Sequence, residues 1–314
     1  MGAGMVALFR MNSDTVPTIA RSPQLWLLRA RRALMFFVAL ALVAISWELY
    51  KKFGPQDGGE VLGWQILPRA KDRVMPHVGD MFSRFGDPIS RSSDETVLSV
   101  VADAVWFSLR LVLAGFVMGL IAGVALAVVM SRFRFAERAI LPYLVISQTV
   151  PLIALAPLVA SWGGKVELFG WEWPRWLSAS VLGAFLTFFP IAVNTLRGLK
   201  SPTPASLELM DSLAAPWHRT LFTLRFPAAV PYIVPGLKLG AAGAVIGVVV
   251  SEISTGLRGG IGRLVIEFGR ATTSDPAIVY TAIIGAAVLG LIMAALIAIA
   301  DSFFMRNRPK ESLA

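Results

Sequence analysis

The chain has 314 residues, 56% of them hydrophobic and 16% charged, with a mean hydropathy of +0.67 and no cysteine. Soluble domains hold about 45–50% apolar and about 25% charged residues, so this is the composition of a bilayer protein; the lack of cysteine excludes a disulfide framework, a thiolate metal site and a cysteine nucleophile. The net charge of +9 does not mark a nucleic-acid binder, because the basic residues flank apolar runs instead of clustering on a polar domain.

A helix needs about 20 mostly apolar residues to cross a membrane. The first candidate covers 33–50 and follows Arg29, Arg31 and Arg32. A cleavable leader is the competing reading there, but Trp47, Glu48 and Tyr50 stand where a small-x-small cleavage site belongs. Residues 1–32 are therefore expected to be a cytoplasmic segment. Residues 51–100 carry seven basic and seven acidic side chains, punctuated by Gly58-Gly59, Pro68, Pro76 and Pro88. They have too few large apolar residues for a core of their own and read as an ordered extracytoplasmic loop.

The second candidate, 101–130, opens on polar residues, so part of 101–111 is expected to lie along the interface. It contains Gly115, Gly119 and Gly123, two overlapping Gly-x-x-x-Gly units that favour close helix contact. The third covers 139–161, the fourth 177–196, the fifth 228–250 and the sixth 278–304, with a cytoplasmic tail at 306–314. Prolines 151, 157, 190, 231 and 235 interrupt these spans and are expected to kink them. The fold class is thus an all-α integral membrane protein of six transmembrane helices. With the N-terminus inside, the cytoplasmic segments hold fifteen Lys and Arg residues against twelve outside, and the short loops agree. Both termini are expected in the cytoplasm.

The most informative stretch is 200–235, between the fourth and fifth spans. Ser201-Pro202-Thr203-Pro204 reads as a helix start, with Thr203 as cap and Pro204 at the first helical position. Leu207, Met210, Leu213 and Ala214 then recur at three- and four-residue spacing, with Glu208 and Asp211 on the other face. Pro216 interrupts the helix, a second short piece follows from 217 to 224, and Pro227 is expected to open the next span. A short charged helix tied to two spans is a docking element.

These residues resemble the signature of binding-protein-dependent ABC importer permeases: Glu-Ala-Ala, three residues, Gly, nine residues, Ile-x-Leu-Pro. Glu208-Leu209-Met210 occupies the triplet, Ala214 the glycine position and Leu224-Arg225-Phe226-Pro227 the ending, at the family's spacing. The departures are Leu and Met for the two alanines, Ala for Gly and Phe for Leu. Flanking pieces resemble the nitrate/sulfonate/taurine branch: Ser108-Leu109-Arg110, Gln148-Thr149-Val150-Pro151, Phe189-Pro190 with Asn194-Thr195, Pro227-Ala228-Ala229-Val230-Pro231-Tyr232 and Val248-Val249-Val250-Ser251-Glu252.

The resemblance covers about 95–305 and implies a type I importer core over 101–305, with a coupling helix at 203–218 inserted into a groove on an ATPase. Glu208, Leu209, Met210, Asp211, Ala214, Pro216 and Trp217 would make that contact. The implied partners are two ATPase subunits, an extracytoplasmic substrate-binding protein, a second copy of the chain and the bilayer of the inner membrane, with no nucleic acid. The chain itself would be a non-catalytic subunit without a bound cofactor or metal, ATP and Mg acting on the partner.

The residues agree with that division of labour. No phosphate-binding loop is present, since Gly163-Gly164-Lys165 is followed by Val166 and lacks the upstream glycine. His77 and His218 lie in loops on opposite sides. Polar side chains inside a membrane face a cavity or a partner helix, which makes Gln148, Thr149, Asn194, Thr195, Ser251 and Glu252 the candidates for lining a solute pathway. Arg110 and Lys238 are charges within apolar stretches, where snorkelling or a carboxylate partner is the default. The expected cargo is a small solute, either a nitrate-, sulfonate- or taurine-like anion or a pyrimidine or vitamin precursor. The alternative is an ion-gradient-driven secondary transporter, which would favour intramembrane carboxylates and an inverted repeat; neither is evident.

Overall fold

The computed structural model describes residues 23–304 apart from 62–63, 91–92, 163–164, 166 and 169. The chain divides into two compact units between Lys71 and Asp72. The first contains helix α1 (Pro23–Phe53) and an antiparallel hairpin of β1 (Gly59–Val61) and β2 (Trp64–Leu67). Leu34, Phe37, Leu40 and Val43 of α1 are exposed, as in a helix solvated by lipid. The Tyr50 hydroxyl donates to the Pro68 carbonyl at 2.8 Å. Asp57 pairs with Lys71, whose hydrogen bond and charge hold that carboxyl below its ordinary range.

The second unit begins with α2 (Val78–Ser83) and a 3-10 turn, Arg84–Gly86. Helix α3 (Val97–Arg132) then runs 36 residues without a break, its start capped by Thr96, whose side chain accepts from the Ser99 N–H. At 1.5 Å per residue it is about 54 Å long, well beyond the ~30 Å of hydrocarbon. Residues 101–111 are therefore continuous with the helix of the span and not a separate piece. The kink expected at Pro151 is a sharp break: α4 (Arg134–Ser147) and α5 (Leu152–Ala160) meet at 96°. Pro151 lacks an N–H and disfavours helical geometry in Val150. The amides of Gln148 and Thr149 accordingly close a tight final turn onto Val145 and Ile146.

A two-residue hairpin, β3 (Glu167–Leu168) with β4 (Trp171–Glu172), precedes α6 (Arg175–Leu199). These hairpins amend the all-α expectation only in the loops. Helices α7 (Pro204–Ser212) and α8 (Trp217–Thr220) follow, then a π-helical segment, Leu221–Arg225, and α9 (Phe226–Thr255). Pro227 sits in the first turn of α9 as expected, and the π turn joins that helix to α8 without a break. Gly256, at φ +65, ends α9 with a left-handed cap. An amphipathic helix not foreseen from the sequence, α10 (Ile261–Arg270), turns back against the bundle before α11 (Pro276–Phe304). Among the described residues five helices are long and apolar enough to cross a membrane, or six if the bent pair is one span.

Helix α6 is held between α3 and α9. A Cβ on Gly115 would lie 2.5 Å from the Ser180 carbonyl, one on Gly119 2.5 Å from Thr187 Cβ and one on Gly123 2.7 Å from the Phe188 carbonyl. On the opposite face a Cβ on Gly247 would meet the Leu182 carbonyl at 2.6 Å. The Gly-x-x-x-Gly stripe is thus the α3–α6 contact. Thr187 Oγ1 lies 2.8 Å from the Gly183 carbonyl of its own helix and 2.9 Å from the Gly240 carbonyl of α9, so the residue that packs on Gly119 of α3 also ties α6 to α9. In lipid, where apolar surface gains little by leaving the solvent, such backbone proximity is what holds helices together.

Candidate functional site

The first candidate is the turn between α6 and α9. Thr203 caps α7, its hydroxyl oxygen accepting from the Ser206 N–H at 3.3 Å, and Pro204 sits in the first turn. The far end closes as a Schellman motif: the Ala215 N–H bonds to the Met210 carbonyl at 3.0 Å and the Ala214 N–H to the Asp211 carbonyl at 2.9 Å. Ala214 has φ +48, the one described non-glycine residue at positive φ. The left-handed region costs an L residue about 1–2 kcal/mol, partly offset because glycine is freer when unfolded. Ala214→Gly is therefore expected to stabilise the chain by about 0.5–1 kcal/mol. Thermal unfolding of the purified protein checks this; a lowered Tm contradicts it.

Helix α7 has no fully buried residue. Glu208 and Asp211 are exposed, and Leu209 and Leu213 are 60% and 68% exposed beside them. Leu207 and Met210 are half-buried, whereas Ala214 and Pro216 are exposed. The apolar face read from the spacing is split, with Leu213 and Ala214 turned outward because the helix has already ended before them. The segment after α7 is anchored by contrast. Trp217 packs against a core of Leu199, Leu221 and Ala229 and lies under the Arg132 guanidinium at 5.3 Å. Arg225 donates through Nη1 to the Leu199 carbonyl at 3.0 Å, and Lys200 pairs with Glu137. The result is a short helix with apolar and acidic side chains outward, standing on a clamped base.

The polar intramembrane residues fall into three places. Gln148 and Thr149 form the α4–α5 bend, where the Thr149 hydroxyl donates to the Ile146 carbonyl at 2.8 Å. Asn194 and Thr195 lie on α6. Asn194 donates to the Pro190 carbonyl at 2.7 Å and contacts the α9 backbone near Gly236, while Thr195 is fully buried and its hydroxyl has no partner. Ser251 and Glu252 lie in the last turns of α9. Glu252 is 0% exposed; one oxygen accepts from the Ser108 hydroxyl at 2.6 Å and the other from the Gly262 N–H at 2.8 Å. Ser108 in turn accepts from the Ile261 N–H at 2.9 Å.

Glu252 therefore joins α3, α9 and the start of α10, with its charge at the positive end of the α10 dipole. Gly260 makes room for it, since a Cβ there would sit 2.2 Å from the Glu252 carboxyl carbon. Reading the sequence missed this link because Ser108 and Glu252 are 144 residues apart. Lys238 has the carboxylate partner expected of a charge in a span, Asp301 at 2.8 Å. Arg110 lies against the rings of Trp106 and Phe107.

Residues 115–307 match the family model for the inner membrane component of binding-protein-dependent transport systems. The chain is 36% identical over 146 residues to a formylaminopyrimidine transport permease protein of Halalkalibacterium halodurans, covering 46% of this chain and 54% of that one. It is 30% identical over 177 residues to a riboflavin transport system permease protein of Chloroflexus aurantiacus, covering 56% and 61%. To a nitrate import permease protein of Synechocystis it is 25% identical over 207 residues, covering 66% and 70%. The match spans only about half to three fifths of the first two relatives' length.

Proposed function

Because this multi-pass membrane chain belongs to the family of inner membrane components of binding-protein-dependent transport systems, we propose that it forms the solute pathway of an ATP-driven importer. Helix α7 is the coupling element in this reading, and its exposed Glu208, Leu209, Asp211 and Leu213 are the observation that carries it. The chain crosses the membrane six times, the bent α4–α5 pair counting as one span, with both termini and α7 in the cytoplasm. Two copies stand on two ATPase subunits, and a soluble binding protein delivers the solute from outside. The cargo is a small anion of the nitrate or sulfonate kind, or a pyrimidine or vitamin precursor.

Alternating access needs an outside source of free energy. Inverting a 1:99 ratio of two conformations takes about 5.5 kcal/mol, which closure of the ATPase pair on ATP supplies through α7. The spans provide two packings of comparable energy. The family match favours this over a secondary transporter driven by an ion gradient.

The test is Glu208→Arg, which reverses the charge that α7 presents to its partner. Co-expression with the cognate ATPase subunit is expected to give a stable complex for the natural chain and at least tenfold less complex for the variant, with import falling in parallel. Undiminished complex and import in Glu208→Arg would remove α7 from the coupling role.

A further inference from the structure

At the end of the bundle opposite α7, the last turn of α5, the first turn of α6 and the last turn of α9 enclose a cavity of about 740 Å³, within the usual range for a small-molecule site. Lys165, Arg175 and Arg258 border it, and no described lining residue is a carboxylate. None of these three exposed cations has an acidic partner among the described residues. Gathering three positive charges around one space is unfavourable unless something negative shares it.

Two further features face the same space. Ser251 lines it, is 1% exposed and has no hydrogen-bond partner for its hydroxyl. An unmet buried hydroxyl costs about 1–3 kcal/mol, and a small turn of this side chain toward the cavity lets a bound group accept its hydrogen bond. Ser178, also lining it and 2% exposed, accepts from the Trp173 indole at 3.0 Å and keeps its own hydroxyl proton available. The first turn of the 25-residue helix α6 adds free N–H groups and the positive end of its dipole. Thr255 and Ser161 already donate to the Ser251 and Leu158 carbonyls, so they only present oxygen.

We infer that this cavity binds an oxyanion, a carboxylate, sulfonate or phosphate group carried by a small organic solute, between Arg175, Arg258 and Ser251. The space is too large for a bare inorganic anion to fill, and Ala160, Ala179 and Leu257 supply apolar wall for a short organic body. This assignment rests on the reading of the chain as a pathway-forming subunit: it makes the cavity the place where solute is held at the end away from the coupling helix, and it narrows the cargo to anions.

The experiment is isothermal titration calorimetry on the purified full-length chain with ethanesulfonate, inorganic phosphate and the smaller uncharged sulfone dimethyl sulfone. Ethanesulfonate is expected to bind and dimethyl sulfone not to. The double variant Arg175→Gln with Arg258→Gln should weaken ethanesulfonate at least tenfold, and Ser251→Ala by about threefold. An unchanged affinity in the double variant, or equal binding of dimethyl sulfone, overturns the inference. Repeating the titration in nanodiscs of phosphatidylcholine with and without phosphatidylglycerol separates the sources of the anion. Displacement of ethanesulfonate by the anionic lipid would assign the cavity to a headgroup and overturn the solute assignment. The measurement needs no ATPase. A chain that holds its ATPase but ignores ethanesulfonate therefore sinks this inference alone, and one that binds ethanesulfonate but no ATPase sinks the coupling role alone.

Discussion

Glu252→Ala is expected to destabilise the chain by about 3 kcal/mol and to release α10 from the bundle. The substitution leaves the Gly262 N–H and the Ser108 hydroxyl without their acceptor in a site that water does not reach, each at about 1–3 kcal/mol. It also opens a cavity against Gly260, and such voids add to the loss because the surroundings relax only in part. Glu252→Gln keeps the volume but not the bonding. Its amide nitrogen must face either the Gly262 N–H, donor against donor, or Ser108, whose own proton then loses its acceptor. The glutamine variant is thus expected to fall between the natural chain and the alanine variant. Hydrogen exchange reads the effect locally: amides of 261–270 should exchange much faster in Glu252→Ala while those of α6 hold. Unchanged protection across 261–270 would show that α10 is held by its apolar face of Ile261, Leu264 and Phe268 alone.

What could be read from the sequence was local in character. The Thr203 cap and Pro204 need only four consecutive residues, and the structure forms that helix start as the spacing predicts. The glycine stripe of α3 was legible because small residues four apart on an apolar helix have one common use. Elements set by distant partners were not. Helix α10 has a helical apolar spacing of its own in Ile261, Leu264 and Phe268, but its start is fixed by Ser108 and Glu252, which accept from its first N–H groups. The bend at 148–151 was marked by Pro151, but Pro157, Pro190, Pro231 and Pro235 lie inside continuous helices. A proline therefore fixes where a break is permitted and leaves to tertiary packing whether it occurs. The cavity bordered by Lys165, Arg175 and Arg258 was hidden for the same reason: its cations come from three separate segments, and each taken singly reads as an ordinary flanking charge.

Gly119→Leu is expected to prevent the bundle from closing. Helices α3 and α6 approach at this point with no side chain between them, and a Cβ on residue 119 would lie 2.5 Å from Thr187 Cβ and 2.8 Å from the Ala184 carbonyl. Thr187 cannot rotate away without giving up its contact with the Gly240 carbonyl, so the clash passes through α6 to α9. Overpacking of a well-filled core costs about 1–3 kcal/mol, and the loss of the Thr187 link between α6 and α9 adds to it. Gly119→Ala meets the same atoms with one carbon and should lose less, although at 2.5–2.8 Å it still forces α3 and α6 apart. Gly290→Leu is the control, because no atom lies within 4 Å of a Cβ there although the residue sits in an equally apolar span. Size-exclusion profiles and thermal unfolding in detergent should rank the variants as Gly290→Leu near the natural chain, Gly119→Ala lower and Gly119→Leu aggregated. If Gly119→Leu eluted as a single species with an unaltered Tm, the glycine stripe would not be the surface on which α3 and α6 meet.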